Sequence, residues 1–202
     1  GALPLLLAAV WLPWWTFAAF HARRGLQCES LVGAALWLGH FRGLDVHWVR
    51  SFSGMDIAGD AARMALPWVR RSMWLLFGGT LALVLQRSWR LLTEGAKVEE
   101  LEGQKSSMGA CWAEEAALGG GALLLAFLVG SHVLSPQFMV QLAPLLVFAR
   151  LRMHTRVALW MVLILTAALF PAPGYGDAGF DLVRTVMLNL RNVMLLVSWV
   201  CV

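Results

Sequence analysis

The stretch "RGLQCESLVGAALWLGHF", residues 24–41, decides how this chain is read. It closely follows Gly1 to Phe20, a run without a single charge. A polar cluster opens it, and the apolar stretch Leu31–Phe41 comes next. A bilayer crossing takes about 20 apolar residues, so this stretch is too short to span and reads as an interfacial or re-entrant helix. Ser30 stands where an N-cap belongs, with Glu29 just before it. Gly25 permits a tight turn beside them. A helix start at a membrane surface presents free N–H groups, a ready anion site. Arg24, Gln27, Glu29 and Ser30 would then lie around one phosphate position.

Working outward, the whole chain is greasy. Of its 202 residues 59% are hydrophobic and 14% charged, against about a quarter charged in an ordinary soluble domain. Six hydrophobic segments can be drawn, at 1–20, 64–86, 111–134, 136–149, 157–171 and 182–202. Their periodicity is helical or uniformly apolar, without the alternating strands of an outer-membrane barrel. The expected fold is all-α: one polytopic transmembrane helical bundle of about six segments plus the short interfacial helix, filling residues 1–202. Residues 1–20 lack the basic start of a signal peptide and carry Pro4 and Pro13. The chain starts with glycine and stops at "LLVSWVCV", both inside hydrophobic runs, and so reads as a piece of a longer protein.

Sidedness follows from the short loops. "RLRMHTR" (150–156) has three arginines and no acid, and "APGYGDAGFD" (172–181) has two aspartates and no base. The first is expected on the cytoplasmic side and the second outside. Alternation then puts 87–110 inside, and 21–63 and "SHVLSPQF" (131–138) outside. Arg23, Arg24, Arg42, Arg50 and Arg63 thus oppose the usual bias. Binding an anionic headgroup or phosphate is one use for them, since arginine forms bidentate bonds to phosphate. Local pairing with Glu29, Asp45, Asp56 and Asp60 is the other.

Other candidates lie further along. Pro136 disfavours helix at Ser135, so a helix should end there and a new one begin, with Ser135 as its cap, Gln137 in its first turn and His132 one turn earlier. Arg184 and Arg191 are two turns apart on one face of the last segment. Charges at such depth usually face the protein interior, as ligand-binding groups or as interhelical partners. Glu114 and Glu115 read as charge complements at a helix start. "GGG" at 119–121 suggests close helix packing. Cys28, Cys111 and Cys201 form no metal or redox spacing and read as free thiols. The sequence has no metal-ligand, nucleotide-loop or nucleophile–base pattern, so no metal or cofactor is expected. The basic residues make no stripe, so no nucleic-acid partner is expected.

Three motifs together resemble the glycosyltransferase family 87 membrane proteins of the GT-C superfamily, related to polyprenol-phosphate-mannose-dependent mannosyltransferases. These are "RGLQCES" (24–30) followed by the short helix and "VRSFSGMDIAG" (49–59), then "VLSPQFMVQLAPLL" (133–146), then "LRNVMLLV" (190–197). Order and spacing agree over about 24–197. The resemblance implies a multi-span inverting enzyme of the bacterial plasma membrane that takes a hexose, mannose by that resemblance, from a lipid-linked sugar phosphate donor at the outer face. It implies that Arg24 and Gln27 hold the donor phosphate, that Glu29 orients Arg24, and that Ser135 and Gln137 line the facing wall. The acidic general base would precede Gly1. Phe138 stands for the family's usual tyrosine and Cys28 for an aliphatic residue. The alternative is a transporter or flippase for an anionic lipid or solute that uses Arg184 and Arg191 along its path.

Overall fold

A computed structural model describes residues 23–51, 54–102, 106–134, 136–144, 149–170 and 181–202, the side chains of 94–102, 106–113, 136 and 137 excepted. Along the chain lie β1 (Leu26–Gln27), α1 (Leu31–His40), β2 (His47–Ser51), β3 (Gly54–Ala58), α2 (Asp60–Glu102), α3 (Ser106–Gly130), α4 (Pro136–Val140), α5 (Met153–Leu169) and α6 (Leu182–Cys201).

The strands form one antiparallel sheet in the order β1-β3-β2. β2 and β3 make a hairpin from His47↔Ala58 to Ser51↔Gly54. β1 is laid on the other edge of β3, with Leu26 opposite Ile57 and Gln27 opposite Asp56. Strand side chains alternate between faces. Leu26, Met55 and Ile57 therefore share one face and join Ala34 and Trp37 of α1 in a buried core. Gln27, Gly54 and Asp56 share the other. Trp37 packs edge-on against Trp48 of β2 at 4.8 Å and stacks on His40 at 4.6 Å. The chain leaves β3 through Gly59, whose φ is +123°. A side chain there would also press on the Asp45 carbonyl, 2.5 Å from the position of a Cβ.

α2 has 43 residues, about 65 Å at 1.5 Å per residue. A Cβ on Gly130 would lie 2.7 Å from Met73 Cα, and one on Gly119 would lie 2.9 Å from Val84 Cγ1. These two contacts, far apart on both helices, make α2 and α3 an antiparallel pair. They give the glycines the close-packing role that "GGG" suggests, carried by Gly119. α6 packs against α5, α3 and α1. A second core joins Leu125 and Leu128 of α3, Met139 of α4, Leu159 and Val162 of α5 and Leu195 of α6.

This architecture corrects the expected all-α bundle of six spans. The segment 21–63, read as an outer loop, contains the three-stranded sheet. Among the described residues one helix, α6, is long and apolar enough to cross a membrane. α5 is apolar but has 17 residues, short of the roughly 20 a crossing takes. α4 has five, where a span over 136–149 was expected. α2 runs without a break from Asp60 through most of the expected inner loop 87–110, and arginine, tryptophan and glycine dilute its hydropathy. Segment 1–20 and most of the loop 172–181 lie outside the described residues. With one such helix among the described residues in place of a run of spans, the alternation that placed each loop inside or outside loses its basis.

α6 has a mixed buried face and an apolar exposed face, unlike a helix of a water-soluble core. It buries four polar residues, Thr185, Arg191, Asn192 and Ser198, beside Leu188 and Leu195, while Val183, Val186, Leu190, Val193, Val197 and Val200 are exposed. Those exposed residues recur every three or four positions, a continuous apolar stripe. Such a face suits an apolar surrounding, and with α6's length it is consistent with association with a membrane.

Candidate functional site

The first polar cluster is built on β1. Gln27 N donates to the His132 carbonyl at 2.9 Å, and Cys28 N donates to the Met55 carbonyl at 3.1 Å. Gly25 N donates to Asp56 Oδ2 at 3.2 Å. From α2, Arg70 Nη2 donates to the Arg24 carbonyl at 2.9 Å. The backbone of 24–28 is thus held from three directions. Arg24, Gln27, Glu29, Asp56 and His132 are all buried.

Two donor groups converge on Gly54. A Cβ placed there would collide with Arg24 Nη2 and would lie 2.6 Å from Gln27 Nε2. The missing side chain lets the guanidinium and the carboxamide come together over the Gly54 backbone. An arginine fork beside a second N–H donor is suited to the oxygens of a phosphate.

Ser30 has a different job. Its Oγ donates to the Gln27 carbonyl at 2.7 Å and accepts from Gly33 N at 3.1 Å. It is the N-cap of α1, and its only proton is committed, so it has none to offer a phosphate. A side chain on Gly33 would run into the Gln27 carbonyl, so this cap requires glycine at 33.

Glu29 is the most perturbed acid of the cluster. Burial pushes its carboxyl up from the ordinary 4.5 to about 7, against the pull of its own backbone N–H, the Cys28 thiol, Arg191 and Arg24. Cys28 is itself raised, first by burial and then by Glu29. Cys28 and Cys201 are free thiols.

Arg191 does not reach a ligand position. It is fully buried. Its Nη2 donates to the Glu29 carbonyl at 2.6 Å and to Asn192 Oδ1 at 2.7 Å, and its guanidinium lies 5.6 Å from the Phe170 ring centre. Asn192 Nδ2 donates to the carbonyls of Glu29 and Ser30, each at 3.2 Å. Asn189 Nδ2 reaches the Ala34 carbonyl at 3.0 Å. One face of α6 is therefore a polar seam that holds the turn between β1 and α1.

The remaining candidates separate. His132 joins the cluster through its carbonyl and is buried. Ser135 lies outside the described residues, and Gln137 is described only by its backbone in α4. Arg23 is exposed. Arg184 contributes its N–H to the Asp181 cap of α6 at 2.8 Å, two turns from Arg191. Glu114 and Glu115 are not at a helix start, because α3 begins at Ser106. Glu115 pairs with Arg87 at 2.7 Å and Glu114 with Arg150 at 3.7 Å. Of the arginines read as outer-loop cations, Arg63 pairs locally with Asp60.

Gly54 was not read as a site residue, and Asp56 only as a local ion-pair partner. Both lie in "VRSFSGMDIAG", but their role depends on a pairing with residues 26–27, about thirty positions away. Comparisons with protein-family models, with curated proteins and with solved structures found no match to this chain.

Proposed function

We propose that this chain belongs to a membrane glycosyltransferase that takes a hexose, mannose first among candidates, from a polyprenyl-phosphate-sugar donor. It passes the sugar to an acceptor at the outer face of a bacterial plasma membrane. The observation that carries the reading is the convergence of Arg24 Nη2 and Gln27 Nε2 over Gly54. In this reading the two donors hold the phosphate that departs with the lipid. Donors fixed before the reaction stabilise developing phosphate charge without reorganising, and a held phosphate keeps the anomeric carbon aligned for attack. Glu29 balances the charge beside Arg24. Arg191, Asn189 and Asn192 are positioning residues that hold the turn. The apolar outer stripe of α6 suits an enzyme whose donor is a lipid. The transporter alternative has less support, because Arg191 is enclosed and bonded to the Glu29 carbonyl and Asn192 Oδ1, so it lines no path.

The test is hexosyl transfer from a polyprenyl-phosphate-hexose by the full protein in membranes. Arg24→Ala and Gln27→Ala should each lower turnover by about 10-fold or more, the scale of a lost charge-assisted hydrogen bond. Unchanged turnover in both variants would remove the phosphate site.

A further inference from the structure

Next to the converging donors stands a carboxylate that the phosphate reading does not use. Asp56 is buried on β3. Its Oδ2 accepts the Gly25 N–H at 3.2 Å. Its Oδ1 is shielded and has no hydrogen-bond partner among the described residues, and Asp56 makes no ion pair there. A buried acceptor left unmatched costs about 1–3 kcal/mol, so its persistence calls for a donor.

The backbone is shaped to admit this carboxylate. A Cβ on Gly25 would lie 2.7 Å from Asp56 Oδ2 and 3.1 Å from Cγ; glycine at 25 is what allows the side chain in. Asp56 and Gly54 are two residues apart on one strand and so lie on one face, about 7 Å apart. Gln27 is directly opposite Asp56; its Nε2 faces the Gly54 spot, while its Oε1 is a second shielded acceptor without a partner. The face thus has donors at one end and bare acceptors at the other. A phosphate has only acceptors to offer at neutral pH, so it matches the donor end. A sugar ring offers hydroxyl donors, and these match the acceptor end.

We propose that Asp56, with Gln27 Oε1, binds the ring hydroxyls of the donor's sugar and is the residue that separates a sugar-bearing lipid phosphate from the bare lipid phosphate left after transfer. The assignment rests on the phosphate reading above, since it takes the Arg24 and Gln27 donors as the phosphate-binding end. It gives the site a direction, with phosphate toward Gly54 and sugar toward Asp56 and Gly25. It also gives a reason for product release, because the bare lipid phosphate loses the Asp56 contact.

The experiment compares two probes, a short-chain prenyl phosphate and the same prenyl phosphate bearing mannose, binding to the full protein in detergent. The wild type should bind the mannosyl form more tightly. Asp56→Asn keeps an oxygen for the Gly25 N–H but weakens the acceptor. It should cut affinity for the mannosyl form by about 10- to 100-fold, the range for hydrogen bonds to a charged group, and leave the bare form unchanged or tighter. A series of monodeoxy mannosyl probes identifies the hydroxyl, because the probe that lacks it should bind wild type and Asp56→Asn alike. If Asp56→Asn is poorly folded, Gly25→Ala gives the same readout by pushing the carboxylate away. Loss of both probes in equal proportion, or no change in their ratio, overturns the Asp56 assignment and leaves the phosphate reading intact. Failure of the wild type to bind either probe overturns the phosphate reading, and the assignment with it.

Discussion

The two ends of α6 are built on opposite principles. Around Arg191 and Asn192 the helix meets β1 and α1 through buried hydrogen bonds to main-chain carbonyls. Around Trp199 it meets α2 and α3 at a cleft of about 360 Å³, lined largely by apolar side chains such as Leu83, Val84, Leu118 and Val200. There the polar contacts are sparse: Trp199 Nε1 to Thr80 Oγ1 at 3.3 Å, and the Arg87–Glu115 pair at 2.7 Å. The first end fixes a short turn in one geometry; the second is adaptable surface. A buried charge bonded to carbonyls tolerates little displacement, whereas side-chain apolar contacts can slide. That contrast places the candidate chemistry at the polar end.

The largest effect expected of this contrast is at Arg191. Arg191→Leu leaves the Glu29 carbonyl with only its weaker bond from Asn192 and removes one of the two buried cations that act on the Glu29 carboxyl. Breaking a buried charged network costs about 3–5 kcal/mol, and denaturant unfolding in detergent should show a loss of that order. A loss below about 1 kcal/mol, the scale of an exposed pair, would mean that the polar seam does not hold the turn.

Glu29 gives the next effect, through pH. Its carboxyl is raised from 4.5 to about 7 in the folded chain, so between those values the folded state holds a proton that the unfolded state has released. Its contribution is therefore greatest below about 4.5, declines as pH rises through that window and is level above about 7, with a total on the order of 3 kcal/mol. Glu29→Gln should remove this slope, seen as the difference between wild-type and variant unfolding across pH 4 to 8. Parallel curves would place Glu29 in contact with water.

The smallest effect belongs to the other end. Arg87 is 59% exposed and Glu115 only 9%. Solvent screening on the arginine side holds the cost of Arg87→Gln to about 1 kcal/mol or less, with no change in transfer. A larger loss would make the two ends of α6 alike.

Part of this was legible locally. Ser30 and the apolar run after it announce a capped short helix, and α1 follows that reading. Pro136 announces a helix start, and α4 begins there. The grouping of Arg24, Gln27 and Glu29 is a property of seven adjacent residues. The sheet was missed because β1 has two residues, and its partner lies across α1 and β2 in a segment whose charges suggested a loop. The length of α2 was missed because "KVEELEGQK" mixes signs like a solvated loop, although mixed charges suit a helix surface equally well. Arg191 looked like a ligand group because its main-chain partner is the Glu29 carbonyl, 162 positions earlier, which no spacing within the last segment can indicate.

The central claim is that the Arg24 guanidinium and the Gln27 carboxamide, which converge over Gly54, hold one phosphate. Calorimetric titration of Gly54→Ala with a short-chain prenyl phosphate tests it most directly. The added methyl meets only the ends of two side chains, so the fold should hold, with an unchanged unfolding midpoint. The predicted result is a loss of affinity of about 10-fold or more. Wild-type affinity in a folded Gly54→Ala protein would contradict the account.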